Sequence, residues 1–208
     1  TVMNLLPIVI TAKRGNWSRF HSRRSNKSFQ NLEQQILARD QNTCRYCGFN
    51  SAKYQVVVNI NHDYSPGQSV PDNLATACIF CAQCFFLDAL GHENSWGGTL
   101  IYLPEISQPD LNHFCRVLFS GMLRDAPYKG KLQTAFLSLK DREHIVNETF
   151  GPKSSDPYVF GQTLIDSNLS AEQLQHPMFQ QLRMLPERKY FTEEIIYWKA
   201  TVFDQIPL

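Results

Sequence analysis

Ala38-Arg39-Asp40-Gln41-Asn42-Thr43-Cys44-Arg45-Tyr46-Cys47-Gly48 and, further on, Asn73-Leu74-Ala75-Thr76-Ala77-Cys78-Ile79-Phe80-Cys81-Ala82-Gln83-Cys84 hold five of the six cysteines of the chain. A C-x-x-C turn aims two thiolates at one point, and a second such turn completes the tetrahedral S4 set that Zn2+ favours. Cys78/Cys81 and Cys81/Cys84 are both C-x-x-C pairs, so spacing alone leaves the second pair open. A second knuckle normally lies on the turn leading into a helix, which favours Cys78 and Cys81 and puts Cys84 one helical turn inside. The expected ligands are therefore Cys44, Cys47, Cys78 and Cys81, holding one Zn2+ ion. Four protein ligands leave no open coordination position, so such a site is structural and activates no water.

Working outward from the cysteines, Phe29, Leu32, Ile36 and Leu37 recur at helical spacing, so Ser28 to Arg39 reads as a helix entering the first knuckle. Val56 to Ile60 is β-branched and reads as a strand ending at Asn61-His62-Asp63, followed by a Ser, Pro and Gly loop to Asp72. Cys81 to Leu90 reads as a helix ended by Gly91. On the N-terminal side Leu5 to Thr11 and Trp17 to Phe20 are expected to pair as a hairpin around Lys13-Arg14-Gly15-Asn16. On the C-terminal side Thr99 to Leu103 is a strand stopped by Pro104. Ser107 caps a helix with Leu111, Phe114, Cys115, Leu118, Phe119 and Met122 on its apolar face. One helix is expected from Lys131 to Phe150, another near Gly161 to Asp166, one capped by Ser170 and interrupted at Pro177, and a last one from Thr192. The fold class is thus α+β and mainly helical, with a zinc-binding module and N-terminal strands over residues 1–103 and a helical region over 104–208, packed as one compact body.

Composition narrows the function. With 208 residues, 43% of them hydrophobic, the chain can bury a real core. Twenty Lys and Arg against 19 Asp and Glu give a net charge of +1, without the positive field on which general phosphate-backbone binding relies. Leu5 to Ala12 is too short to span a bilayer, and Lys13 and Arg14 follow it where a signal peptide would have them precede it. A cytosolic setting favours metal over disulfides for the cysteines. Arg14, Arg19, Arg23, Arg24 and Lys27, diluted by Ser and Asn, read as a solvated connector. Cys115, on an apolar helix face, reads as a small buried hydrophobe. Trp96, Tyr158, Phe160 and Trp198 are candidate aromatic anchors for a partner, though aromatics of this kind are more often core.

The order helix, R-D-x-x-x-C-x-x-C-G, strand ending in a histidine, polar loop and N-L-x-x-x-C-x-x-C resembles the zinc-bearing HNH nuclease module. The resemblance implies zinc at the four cysteines, a general base at His62 and a loop brace at Asn73. It also implies that the hydrolytic metal would lose most of its protein coordination, because Asn61 and Ala82 stand where an active member carries ligands. An isolated strand-end histidine is expected at the surface. Trp17, Cys81-Ala82-Gln83-Cys84-Phe85-Phe86, Gly97-Gly98-Thr99-Leu100-Ile101-Tyr102-Leu103-Pro104-Glu105, Ser155-Asp156-Pro157, Phe160-Gly161-Gln162 and Ile165-Asp166 extend the likeness over most of the chain. Together they are similar to the DotN (IcmJ) family of the Dot/Icm type IVB secretion system. That resemblance implies a non-enzymatic, zinc-stabilised adaptor with no catalytic residues, in the bacterial cytoplasm. It would bind the cytosolic C-terminal tail of the coupling ATPase DotL, and through it be recruited to the inner membrane. The complex would also hold the IcmS and IcmW adaptors and receive effector proteins for export. The competing reading is an HNH-like metal-dependent endonuclease or DNA-binding protein built on His62, Asn73 and the basic stretch.

Overall fold

The computed structural model describes residues 4–92 and 95–205. Residues 4–13 form a strap without regular secondary structure, in place of the expected strand. Leu6, Ile8 and Ile10 pack on the core while Leu5 and Val9 face outward. The alternation is that of a strand, but the strap's N–H groups go to separate carbonyls outside any strand and build no ladder: Leu6 N–H donates to Arg45 O (2.8 Å) and Thr11 N–H to Cys84 O (2.9 Å).

The second expected N-terminal strand is a helix, α1 (Asn16–Arg23). Gly15 turns the chain with a left-handed φ of 79°, which glycine adopts without a Cβ clash, and Phe20 is buried one turn after Trp17. α2 (Lys27–Arg39) is capped by the Asn26 side chain, which accepts from the Ser28 and Phe29 N–H groups. Its Phe29 and Ile36 pack on Val57 of β1 (Gln55–Asn59) and Leu74 of β2 (Leu74–Cys78). These strands pair antiparallel with Gln55 opposite Cys78. The helix expected over Cys81–Leu90 is shorter. α3 (Ile79–Ala82) passes into 3-10 turns over Gln83–Phe85 and Leu87–Ala89, separated by Phe86 at φ −136° and ψ 45°, outside the helical region.

β3 (Gly98–Tyr102) precedes α4 (Gln108–Met122), whose N-cap is Ser107. Leu111, Cys115, Leu118, Phe119 and Met122 are buried, whereas Phe114, expected on the same face, is 44% exposed. The helix expected over Lys131–Phe150 is two, α5 (Lys129–Lys140) and α6 (Glu143–Phe150), with a turn at Asp141-Arg142. α7 (Pro157–Ser167) starts at the Asp156 cap and lies on the turn around Asp88. A Cβ at Gly161 would come within 2.6 Å of the Asp88 backbone nitrogen, so the glycine sets how closely the two approach. α8 (Ala171–Leu174), α9 (Pro177–Gln180), β4 (Leu182–Pro186) and α10 (Thr192–Thr201) follow, and a 3-10 turn over Phe203–Gln205 closes the described chain. β4, absent from the sequence reading, pairs antiparallel with β3, Leu100 opposite Met184. The architecture is α+β and mainly helical, with two two-stranded sheets among the described residues. Of the candidate anchors, Phe160 and Trp198 are buried, Trp96 is half-buried against Trp17, and Tyr158 is exposed.

Candidate metal centre

The first knuckle is shaped by its own backbone. Cys44 N–H donates to Phe49 O and Gly48 N–H to Cys44 O, with Gly48 at φ 76° making the turn. Gln55 Nε2 on β1 donates to Asn42 O and Phe49 O, fixing the loop to the sheet. The Arg-Asp pair before the knuckle binds it to β2. Asp40 accepts from Thr76 N–H (2.9 Å) and pairs with Arg39 (2.9 Å), whose guanidinium also donates to Leu74 O (2.7 Å). Burial raises the Asp40 carboxyl, but the Arg39 and Thr76 hydrogen bonds outweigh it and hold the group below the ordinary carboxylate range. The second knuckle needs no loop of its own: β2 delivers Cys78, which is the N-cap of α3, and the first turn of α3 brings Cys81 beside it.

The structure brings Cys44, Cys47, Cys78 and Cys81 together, all buried, with their sulfurs within 4.8 Å of one another. Metal–sulfur bonds of about 2.3 Å in a tetrahedron imply sulfur–sulfur edges of about 3.8 Å, and the Cys47 and Cys78 sulfurs lie 3.7 Å apart. The group could hold a metal ion. Cys84 lies outside it, its thiol 3.7 Å from Phe80 O and pushed up by burial. Cys115 is likewise buried and pushed up to about 12.

The sequence reading missed the polar groups that α4 contributes. Arg116, 1% exposed, places Nη2 2.7 Å from Cys78 Sγ and 3.9 Å from Cys47 Sγ. Asn112 Nδ2 donates to Cys81 Sγ (3.2 Å), and His113 Nε2 donates to Cys47 O (2.7 Å), which leaves Nδ1 to accept from Arg116 Nη1 (3.4 Å). The guanidinium sits over the Phe49, Phe80 and Trp198 rings, 3.9, 5.0 and 5.4 Å from their centres. A cation in such a dry place needs an anionic partner, and the sulfurs are the anionic candidates within its reach. Burial raises the Cys78 thiol, yet hydrogen bonds from the other three cysteines and the Arg116 charge outweigh it and hold it well below its usual value. The donor set fits a cation bound by thiolates. A signal was present in the sequence: Gln108, Asn112, Arg116 and Ser120 stand four apart, a polar row beside the apolar stripe of α4, and all four are buried.

The nuclease positions are arranged otherwise. His62 is half-buried, not at the surface as expected, because its ring packs 4.5 Å from that of Phe85; its Nδ1 is buried without a partner. Asn61 and Asn73 bond each other, Asn73 Nδ2 to Asn61 Oδ1 (3.0 Å) and Asn61 N–H to Asn73 Oδ1 (3.1 Å), so Asn73 braces the loop. Ala82 is buried. Among the described residues, the four cysteines are the one group of His, Cys, Asp or Glu side chains placed to hold a metal. In the basic stretch, Arg23 is structural. It donates to Asn59 Oδ1 and Val57 O and lies against Phe20, Phe29 and Tyr64, and burial lowers it to about 10.

Burial lowers His62 to about 4, with Lys13 adding to the effect, whereas an unfolded imidazole titrates near 6.5. Between those values the unfolded chain binds the proton and the folded one resists it, so this contribution to stability is present above pH 6.5 and is lost as pH falls toward 4. Urea titrations at pH 7.5 and pH 5 should therefore show the parent losing about 2 kcal/mol more than His62→Leu. Cysteine protonation acts on both proteins and cancels in the difference, so equal losses would show that His62 is not buried neutral.

A closed group of buried thiols that could hold a metal ion, held between a small sheet and a helix, defines a cysteine-cluster α+β protein. No protein-family model matches the chain. It is 42% identical over 197 residues to the Type 4 apparatus protein DotN of Legionella pneumophila, covering 95% of this chain and 91% of that protein. The chain belongs to the DotN family, components of a type IV secretion apparatus.

Proposed function

We propose that the chain is a non-enzymatic adaptor of a type IVB secretion coupling complex, in which Cys44, Cys47, Cys78 and Cys81 hold one structural Zn2+. Its partner is the cytosolic C-terminal tail of a DotL-type coupling ATPase, which recruits it to the inner membrane beside IcmS- and IcmW-type adaptors and effector proteins awaiting export. Likeness to DotN at 42% identity along nearly the whole chain carries this reading. The site supports it: the four cysteines are buried, the His62 ring packs on Phe85, and Asn61 and Ala82 stand at the sequence positions where an active nuclease module carries its metal ligands. No helix among the described residues is long and apolar enough to cross a membrane, which agrees with recruitment through a partner. An extended tail would bind through backbone pairing and side-chain pockets.

Co-purification of the full chain with the DotL tail from its own bacterium tests the proposal. A stable complex is expected, and a tail that fails to bind the metal-loaded protein sinks the assignment. Plasmid nicking in Mg2+ or Mn2+ tests the nuclease alternative in parallel. No cleavage is expected, and cleavage abolished by His62→Ala would replace the adaptor with an enzyme.

A further inference from the structure

We infer that Arg116 and Asn112 are positioning residues of the metal centre: α4 donates N–H bonds to Cys78 and Cys81 and so sets how firmly the thiolates hold their ion. The inference rests on the reading that the four cysteines bind a metal. Its observations are separate from cysteine spacing and lie on a different part of the chain.

The orientation of Asn112 is imposed from β4. The Met184 N–H donates to Gln108 Oε1 (2.7 Å), and Gln108 Nε2 donates both to Met184 O (2.8 Å) and to Asn112 Oδ1 (2.9 Å). With its oxygen already accepting, Asn112 can present only its NH2 to Cys81 Sγ, 3.2 Å away. The backbone of β4 thereby dictates a hydrogen bond to a cysteine on another element. Arg116 is held as firmly, by three aromatic rings around its guanidinium and by His113, which is anchored on Cys47 O. A site of four thiolates around a divalent cation is anionic, and in a dry interior its charge is costly without a compensating cation. Arg116 is that cation. N–H donors and positive charge lower the energy of sulfur lone pairs, which makes thiolates weaker nucleophiles and less readily protonated, and loss of an outer partner of this kind typically costs about 10- to 100-fold in metal affinity.

Cobalt reports on the sulfurs directly. In the Co2+-substituted full chain, Arg116→Met should move the sulfur-to-cobalt charge-transfer absorption to lower energy and speed transfer of metal to a chelator about tenfold or more. Arg116→Lys, which keeps the charge, should restore part of both effects. Should Arg116→Met fail to fold, Asn112→Leu serves, since it removes one N–H···S bond while the charge stays; a smaller shift in the same direction is expected. A folded, cobalt-loaded variant with the parental absorption and release rate overturns the inference. Parent protein that purifies without metal and takes up no Co2+ overturns the metal reading beneath it, and the two failures are told apart by metal analysis of the parent.

Discussion

Cys78→Ser is expected to leave the chain without its metal and without a cooperative native fold. Structural zinc contributes about 10 to 16 kcal/mol of apparent binding energy in small zinc domains, whereas a whole domain is stable by about 5 to 15 kcal/mol. Loss of one ligand therefore removes an amount comparable to the entire stability. Cys78 is the most exposed choice of the four in energetic terms, because its sulfur is also the nearest partner of the buried Arg116, at 2.7 Å, and a hydroxyl would leave that guanidinium without its anion. Zinc analysis should give far less than one ion per chain, and the circular-dichroism melt should lose its sharp transition. Cys84→Ser is the control. Its thiol lies outside the four-sulfur group, so that variant should keep its metal and lose about 1 kcal/mol. A Cys78→Ser protein with full zinc, beside a Cys84→Ser protein without it, would transfer the ligand role to Cys84.

Trp198→Ala should be the largest effect away from the cysteines. The indole is 1% exposed and meets Phe49 and Phe80 edge-on, at 5.4 and 5.2 Å between ring centres. It also completes the ring cage around Arg116. Truncating a buried tryptophan typically costs about 3 to 5 kcal/mol through lost burial and the cavity left behind, which for a chain of this size corresponds to a fall in Tm of about 10 °C. Trp198→Phe should cost much less, because the indole Nε1 has no hydrogen-bond partner to lose. On the same helix Ile196, 54% exposed, should change stability by no more than about 0.5 kcal/mol when replaced by alanine. Thermal melts of the three variants, each at full metal content, check the ordering, and equal losses for Trp198→Ala and Ile196→Ala would contradict the packing around α10.

The sequence made some of this architecture legible and hid the rest for definable reasons. The four clustered cysteines can be picked out because the spacing of a metal-binding knuckle is local, two residues standing between the cysteines of each pair. α2 was equally plain, since its apolar stripe has the helical period and faces one neighbour, the β1–β2 sheet. Trp17 to Phe20 looked like a strand because an aromatic-rich run of a few residues carries no period, and only Gly15 and the packing of Phe20 decide for a helix. β4 was hidden because Leu182 to Pro186 owes its conformation to β3, far away in sequence. The break between α5 and α6 carries neither glycine nor proline, so composition gave no stop. Phe114 reads as inward by residue type, yet its position beside the stripe leaves it exposed. Arg116 is hidden for the opposite reason, as a charge on a helix is normally solvated, and its burial follows only once the sulfurs it faces are assembled.

The pairing of β3 with β4 also bears on how the chain reaches its native state. Everything from α4 to α9 lies between the two strands, and pairing across so long an intervening segment is entropically late and slow. All four clustered cysteines leave the ribosome before Arg116, and Arg116 before the strand that, through Gln108, orients Asn112. Synthesis in chain order thus delivers all four thiols before the helix that donates to two of them, and before the strand whose backbone orients Asn112.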